Sequence, residues 1–264
     1  MEKYRITVIM GIYNCAPTLA EALDSLLDQT YQGFKVVMCD DGSSDKTLEV
    51  AGQYVDRYPG KFILIRNERN MGLNFTLNRC LEYADTEYVA RMDGDDLSLP
   101  ERFAEEIGLL DSNAEFHIVS TPMVYFDDNG EFRRGSGGYE VVKKDFLKGS
   151  PFCHAPCMVR TEAYRNVGGY TVSRELLGVE DYHLWFKMYA AGYRGVMLDR
   201  PLYMMRDDRN AASRRTFGRY LRVARVMWRG FPMIGLPAWN RLYALRPIVT
   251  ACLPEFVYNI FHRH

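Results

Sequence analysis

Short apolar runs alternate with amphipathic stretches through the first hundred residues. Ile6 to Met10 is a β-branched apolar run; Phe34 to Cys39, Phe62 to Ile65 and Tyr88 to Ala90 repeat the pattern. Between them, Pro17 to Gln29 carries Leu19, Leu23, Leu26 and Leu27 at helical spacing. Asp45 to Tyr58 reads as a second helix, and Leu73 to Ala84 as a third with Leu77, Leu81 and Ala84 on one face. Near-continuous apolar strands separated by amphipathic helices predict a parallel sheet with helices on both faces. Right-handed crossovers then bring the strand-end loops to one edge, where open α/β sheets bind ligands.

The second half reads differently. A helix starts near Pro100, with Pro in its first turn. Glu115 to Phe126 holds one or two strands, and Asp127-Asp128-Asn129-Gly130 is a hairpin turn. Gly135-Ser136-Gly137-Gly138 reads as a flexible loop and a candidate lid. Phe152 to Val159 is expected as a strand. Gly178-Val179-Glu180-Asp181 opens a helix that runs through Trp185, Met188 and Tyr189 to Gly192. Further on, Arg215, Arg219, Arg222 and Arg229 fall on one side of a helix, with Leu221, Ala224 and Trp228 largely elsewhere around it. Phe231 to Phe261 is apolar but broken by Pro232, Pro237, Arg241, Arg246, Pro247, Pro254 and Glu255. A membrane-spanning helix wants about 20 mostly apolar residues, so interfacial helices are expected here.

Length and charge sharpen this outline. At 264 residues the chain fits one large domain with an appendage. The reading is a domain over 1–212, with halves 1–99 and 100–212, and a basic helical tail over 213–264. The net charge of −1 points to no nucleic acid as partner. From Arg206 onward, however, eleven arginines face only Asp207, Asp208 and Glu255. An anionic membrane surface suits such a tail; the alternative packs it on the first domain or on a second copy, as in a homodimer. The six Cys are scattered and mostly in apolar runs, which suits a reducing compartment and no disulfide framework. Cys153-His154 with Cys157 lacks the second ligand pair of a zinc site. Met1 to Arg5 leads straight into a strand pattern, so no signal peptide is read and a cytoplasmic protein at the inner membrane face is expected.

The predicted strand ends carry the candidate chemistry. They read Gly11-Ile12-Tyr13-Asn14, Asp40-Asp41-Gly42-Ser43-Ser44-Asp45, Asn67 with Asn70-Met71-Gly72, and Arg91-Met92-Asp93-Gly94-Asp95-Asp96. Each loop alone fits an ordinary turn or helix cap; together on one edge they make a composite site. Three carboxylates so close repel and are tolerated best around a cation. Few, hard oxygen ligands suit Mg²⁺ or Mn²⁺ that also grips a diphosphate. A polar loop with an Asp helix cap accounts for the same residues. Glu180-Asp181 is likewise what a helix N-terminus favours.

Taken in order, these motifs, with Val167-Gly168-Gly169-Tyr170 and Glu180-Asp181, resemble family 2 glycosyltransferases of the GT-A fold. The likeness covers roughly residues 5 to 215. It implies an α/β, mostly parallel nucleotide-binding sheet flanked by helices, with residues 1–99 binding a nucleotide-sugar and 100–212 the acceptor. It also implies inverting transfer of a sugar, usually from a UDP-sugar, to a hydroxyl of a glycan or polyprenyl-linked acceptor in cell-surface polysaccharide assembly. On the resemblance, Tyr13 stacks on the base, Asp41 hydrogen-bonds it, Asp93 faces the ribose or sugar, and Asp95 holds the divalent metal. Asp181 is the general base. Gly11, Asn70 and Arg91 lie where donor contacts fall, and Glu180 and His183 belong to the acceptor side; His154 is a candidate for that side, with an ordinary core or strand histidine as the favoured alternative. Two departures stand out. His183 occupies a position where relatives often have an acid, and Tyr203 to Asp208 lacks the His many relatives carry there, leaving a third metal ligand unassigned. A sugar nucleotidyltransferase would want a basic, Gly-rich loop after the first strand, which Gly11 to Cys15 does not supply. An inactive nucleotide-binding scaffold would not need Asp41, Asp95 and Asp181 together.

Overall fold

The structure is a computed structural model and describes residues 4–207 and 216–252. Arg209, Arg214, Arg215, Arg263, Asp208, Pro254, Glu255 and Phe261, which figure in the reading of the tail, lie outside the described residues. The chain divides into two compact units that interleave in sequence. The first comprises Met1–Val141, Phe152–Tyr170 and Tyr193–Arg209; the second comprises Val142–Pro151, Thr171–Gly192 and Asn210–His264.

In the first unit the expected alternation is present: β1 (Ile6–Ile12), α1 (Ala16–Leu27), β2 (Phe34–Asp40), α2 (Thr47–Arg57), β3 (Phe62–Arg66), α3 (Leu73–Leu81) and β4 (Tyr88–Arg91). The short β5 (Leu97–Ser98) and α4 (Arg102–Ser112) follow. Then come β6 (Ile118–Ser120), β7 (Met123–Asp127), β8 (Gly130–Arg134), β9 (Tyr139–Val141), β10 (Met158–Arg160), α5 (Thr161–Val167) and, later, β11 (Gly195–Met197) and β12 (Tyr203–Arg206). One sheet runs β3-β2-β1-β4-β10-β6-β11-β9, and a smaller one runs β5-β12-β7-β8. The first four strands of the large sheet are parallel to one another, and β10 is antiparallel to both its neighbours. β2 and β4 are buried along their whole length, which is why they read as unbroken apolar runs rather than alternating ones. On α1, Leu19, Leu23 and Leu26 face the core as their spacing predicts.

Two expectations change. The strand expected over Phe152 to Val159 is reduced to Met158–Arg160. Ahead of it the chain turns: the Cys157 amide donates to the His154 carbonyl, and the Cys157 thiol to the Cys153 carbonyl. Pro156 offers no amide to a ladder. The Gly-rich segment read as a candidate lid is threaded tightly between β8 and β9. The amides of Gly135 and Gly138 donate to carbonyls of Met123, Met197 and Leu198, and a Cβ on Gly137 would fall 1.8 Å from the Leu198 oxygen.

The second unit is helical: α6 (Glu180–Ala190), α7 (Phe217–Met233), a 3-10 helix over Ala238–Leu245, and α8 (Arg246–Cys252). α6 and α7 meet through rings. Phe186 lies against Tyr182, Phe146 and Phe231, and a Cβ on Gly230 would sit 2.4 Å from the Phe186 ring. The apolar side of α7 thus packs within its own unit. Among the described residues no helix is long and apolar enough to cross a membrane.

One buried ion pair ties the first unit together. Arg102 and Glu106, a turn apart on α4, are both fully buried at 3.2 Å. Arg102 also donates to the Arg91 carbonyl at 2.9 Å. Burial raises the Glu106 carboxyl to about 7, against the pull of Arg102. A carboxyl raised on folding contributes stability below its ordinary value and loses it as pH rises through the folded value. Urea midpoints of the protein should therefore fall between pH 5 and 7.5 (about the span of that shift), and Glu106→Gln should flatten that fall. Arg102→Met, by stranding a buried carboxylate, should cost about 3–5 kcal/mol.

Candidate active site

Chain order reverses between β1 and β4, because β2 and β3 extend the sheet to the other side of β1. Ligands in open α/β sheets bind in the crevice at such a reversal. At the end of β1, Tyr13 stands exposed. Asn14 follows with φ 48°, a left-handed conformation that Asn tolerates better than most residues. Its amide donates to Ser43 Oγ at 3.0 Å, and its Oδ1 accepts from the Ser44 amide at 2.9 Å. Asp45 accepts from the amides of both Ala16 and Thr47, so one acid caps the starts of α1 and α2. Hydrogen bonds, foremost from Thr47, hold its carboxyl below the usual range.

Asp41 is 4% exposed. Its Oδ1 accepts from Asn67 Nδ2 and the Met71 amide, both at 2.8 Å, and its Oδ2 accepts from the Gly72 amide at 2.9 Å. The carboxylate thereby holds the loop between β3 and α3, on which Asn70 lies at the surface. That loop crosses directly over Gly42, whose φ is 75° and where a Cβ would fall 2.8 Å from the Arg69 backbone. Gly11 has a related part: a Cβ there would press on Leu73 Cδ1 at 3.1 Å, so its absence lets α3 lie close to β1.

The acidic loop after β4 sorts its carboxylates by partner. Arg91 is buried, and its Nη2 meets Asp93 Oδ1 at 2.5 Å. Asp96 is buried and accepts from the Tyr203 hydroxyl at 2.9 Å and the Arg206 amide at 2.8 Å. The same Tyr203 oxygen accepts from the Asp93 amide at 3.2 Å. Burial, then the charges of Asp93 and Asp95, push the Asp96 carboxyl up to about 8. Asp95 reaches solvent, yet the protein packed around it and the Asp93 charge raise its carboxyl too. Gly94 passes so close to Cys15 that a Cβ would sit 2.8 Å from its sulfur, and its carbonyl accepts from Thr18 at 3.0 Å.

His154 Nε2 pairs with the Tyr170 hydroxyl at 2.8 Å. Desolvation, with the Arg91 charge, lowers the His154 pKa well below its ordinary value. Asn78 fixes Tyr170 by exchanging two 2.8 Å hydrogen bonds with its backbone. Gly11, Tyr13, Asp41, Asn70, Arg91, Asp93, Asp95 and His154 therefore all belong to the first unit. Tyr203, Asn78 and Arg102 support them through contacts more than ten residues away in sequence, a link that local patterns do not carry.

Glu180, Asp181 and His183 belong to the second unit, in the first turn of α6. Asp181 Oδ2 accepts from the Ser150 hydroxyl at 2.8 Å. His183 is half-buried; desolvation, then the charges of Lys187 and Arg229, keep its pKa low.

Comparison with known proteins decides the family. The model of Glycosyl transferase family 2 matches residues 7–168. This chain belongs to glycosyltransferase family 2. EpsE of Bacillus subtilis is 38% identical over 261 residues, 98% of this chain and 93% of EpsE. An Escherichia coli UDP-Gal:α-D-GlcNAc-diphosphoundecaprenol β-1,3-galactosyltransferase is 30% identical over 224 residues, covering 80% of this chain and 77% of that enzyme. Among solved structures, S. aureus TarS in complex with UDP superposes with TM-score 0.73 at 20% identity, over 97% of this chain and 74% of the TarS chain. The mannosyltransferase PcManGT from Pyrobaculum calidifontis, with GDP-Man and Mn²⁺, gives 0.67 at 20%, over 98% and 79%. The GT-A fold of this family 2 glycosyltransferase is thereby shown.

The donor set of this glycosyltransferase fits a divalent cation in one specific way. Among the described residues no three His, Cys, Asp or Glu side chains form a metal cage. Asp96 is committed to Tyr203 and Arg206, and Asp93 is held by Arg91. Asp95 is exposed, and the protein around it and the Asp93 charge raise its carboxyl against the pull of Arg91 and Arg206; a carboxylate so placed fits a cation that keeps water ligands.

The Asp41 arrangement has a direct consequence. Asp41→Ala removes three hydrogen bonds to a charged acceptor, each worth about 1.5–3 kcal/mol at most. Amide exchange at Met71 and Gly72 should accelerate markedly while that of the β1 amides stays slow. Unchanged protection at Met71 and Gly72 would show that the loop is held by other means.

Proposed function

We propose that this family 2 glycosyltransferase moves a sugar from a nucleoside-diphosphate donor, a UDP-sugar, to a hydroxyl of a glycan carried on a polyprenyl diphosphate. The setting is cell-surface polysaccharide assembly at the inner face of the membrane. The observation that carries this reading is the acidic loop at the sheet reversal, with Asp93 clamped by Arg91 and Asp95 left to solvent. The galactosyltransferase relative, by its name, uses UDP-Gal and a diphosphoundecaprenol acceptor, which supports the donor and acceptor classes.

Tyr13 offers an exposed ring for the base, Asp41 is assigned to hydrogen-bond that base as well as holding the loop that carries Asn70, and Asn70 is assigned to the donor. Asp93, oriented by Arg91, takes the ribose or sugar hydroxyls. A bound Mg²⁺ or Mn²⁺ would supply charge neutralisation on the departing diphosphate, with Asp95 holding it. The general base is assigned to Asp181 on the Glu-Asp motif: it accepts the proton of the acceptor hydroxyl as that oxygen bonds to the anomeric carbon. The bond to the diphosphate oxygen breaks on the opposite side, so configuration inverts. Glu180, His154 and His183 are assigned to the acceptor half.

Thermal stability against UDP, GDP and TDP, with Mn²⁺ and with chelator, tests the donor site. A ligand at a hundredfold its Kd adds about 2.7 kcal/mol, so UDP with Mn²⁺ should raise the midpoint and chelator should remove most of the rise. Asp95→Asn should abolish the metal-dependent part only. No shift with any nucleotide in folded protein would overturn the donor assignment. Asp181→Asn should keep the UDP shift and lower kcat by about 10²–10⁴-fold; full turnover would remove Asp181 from the base role.

A further inference from the structure

Residues 216–252 contain six arginines and no acidic residue. Within this stretch the 3-10 helix over Ala238–Leu245 turns its apolar stripe outward. Side chains three residues apart eclipse one another on such a helix, so Trp239, Leu242 and Leu245 form one row. They are 64%, 66% and 48% exposed, and Val249, at 60%, extends the apolar exposure onto α8. Asn240 and Ala244, on the other sides, are the buried residues of the same helix. Trp228 of α7 is exposed nearby, with the Arg241 guanidinium 5.4 Å from its ring centre. A row of exposed large apolar side chains rimmed by cations marks an interaction site rather than ordinary surface.

The arginines divide by what they touch. Arg222 donates to the Leu177 carbonyl at 2.7 Å, and Arg229 pairs with Glu175 at 2.9 Å, so two members of the arginine side read from the sequence of α7 are tied to their own unit. Arg225 and Arg246 are exposed, and Arg241 sits at the edge of the apolar row.

We propose that the face formed by Trp228, Trp239, Leu242, Leu245 and Val249, with Arg225, Arg241 and Arg246, docks on an anionic lipid bilayer. Its use in catalysis rests on the reading that the acceptor is carried by a membrane lipid. Indole rings suit the headgroup region, where one edge stays polar and the body is apolar. Arginines flanking the row meet lipid phosphates, and residues 216–252 themselves contribute no carboxylate to oppose them. A second copy is the poorer occupant: a two-fold contact sets the same patch against itself, bringing like charges together.

Flotation with vesicles lacking any acceptor tests this. The full chain should bind phosphatidylcholine vesicles containing about one-third phosphatidylglycerol, bind pure phosphatidylcholine weakly, and lose affinity as salt rises. Tryptophan emission should shift to the blue on binding. Trp239→Glu with Leu242→Glu should lower the partition by about tenfold or more, while Arg222→Ala with Arg229→Ala should lower it far less. Both double variants should keep the UDP-dependent thermal shift, which shows that they fold. No binding to anionic vesicles, equal loss in both double variants, or self-association that the Glu variants abolish would each overturn the proposal. Binding to anionic vesicles by a protein that shows no thermal shift with any nucleotide would instead overturn the reading of function and leave this surface standing.

Discussion

Repulsion among three carboxylates within four residues is the constraint around which the first unit is arranged. Asp93, Asp95 and Asp96 follow the end of a fully buried strand, where the low dielectric magnifies their mutual cost. The fold relieves it piecewise. Asp93 takes the buried Arg91, and Asp96 takes the phenol of Tyr203 and the Arg206 amide. Arg102 in turn binds the Arg91 carbonyl and pairs with Glu106. None of these buried charges is tolerable alone. The outcome is that Asp95 stays exposed, its carboxyl raised by the surrounding protein and the Asp93 charge and only partly offset by Arg91 and Arg206.

The same edge shows a second economy of design, in which acids act as loop clamps. Asp41 gathers three donors from the loop ahead of α3, and Asp45 caps two helices at once. A loop fixed through a carboxylate buried beneath it leaves Asn70 at the surface, where Tyr13 is exposed as well. The second unit answers a different need. Its aromatic contacts around Phe186 bury one side of α7, and the helix that follows is left with a greasy, cationic outer row.

Legibility from sequence followed the range of the interactions concerned. The alternation of β1 to β4 with α1 to α3 depends on burial of each element along its own length, so apolar periodicity reveals it. The acidic loop and the Asp40 to Asp45 turn were visible as local clusters. Which carboxylate faces which partner was not visible: Asp96 meets Tyr203 more than a hundred positions on, and no spacing rule connects them. The segment Phe152 to Cys157 looked like a strand because it is apolar and largely buried, but burial alone does not distinguish a packed turn from a ladder. The Gly-rich stretch at Gly135 to Gly138 looked mobile for its lack of side chains; that lack is what lets it pass against Leu198.

By itself, the order of motifs along the chain determined the family and the parallel half of the sheet, because local periodicity marks alternating strands and helices and strand twist makes their crossovers right-handed. Tertiary structure alone decided how the chemistry of those motifs is deployed. It gave Asp41 three donors from the loop ahead of α3 and Asp96 the Tyr203 phenol, left Asp95 exposed, paired His154 with Tyr170, and drew Arg222 and Arg229 back onto their own unit. These choices depend on desolvation and on charges brought together from distant positions, and both come into being only when the chain is packed.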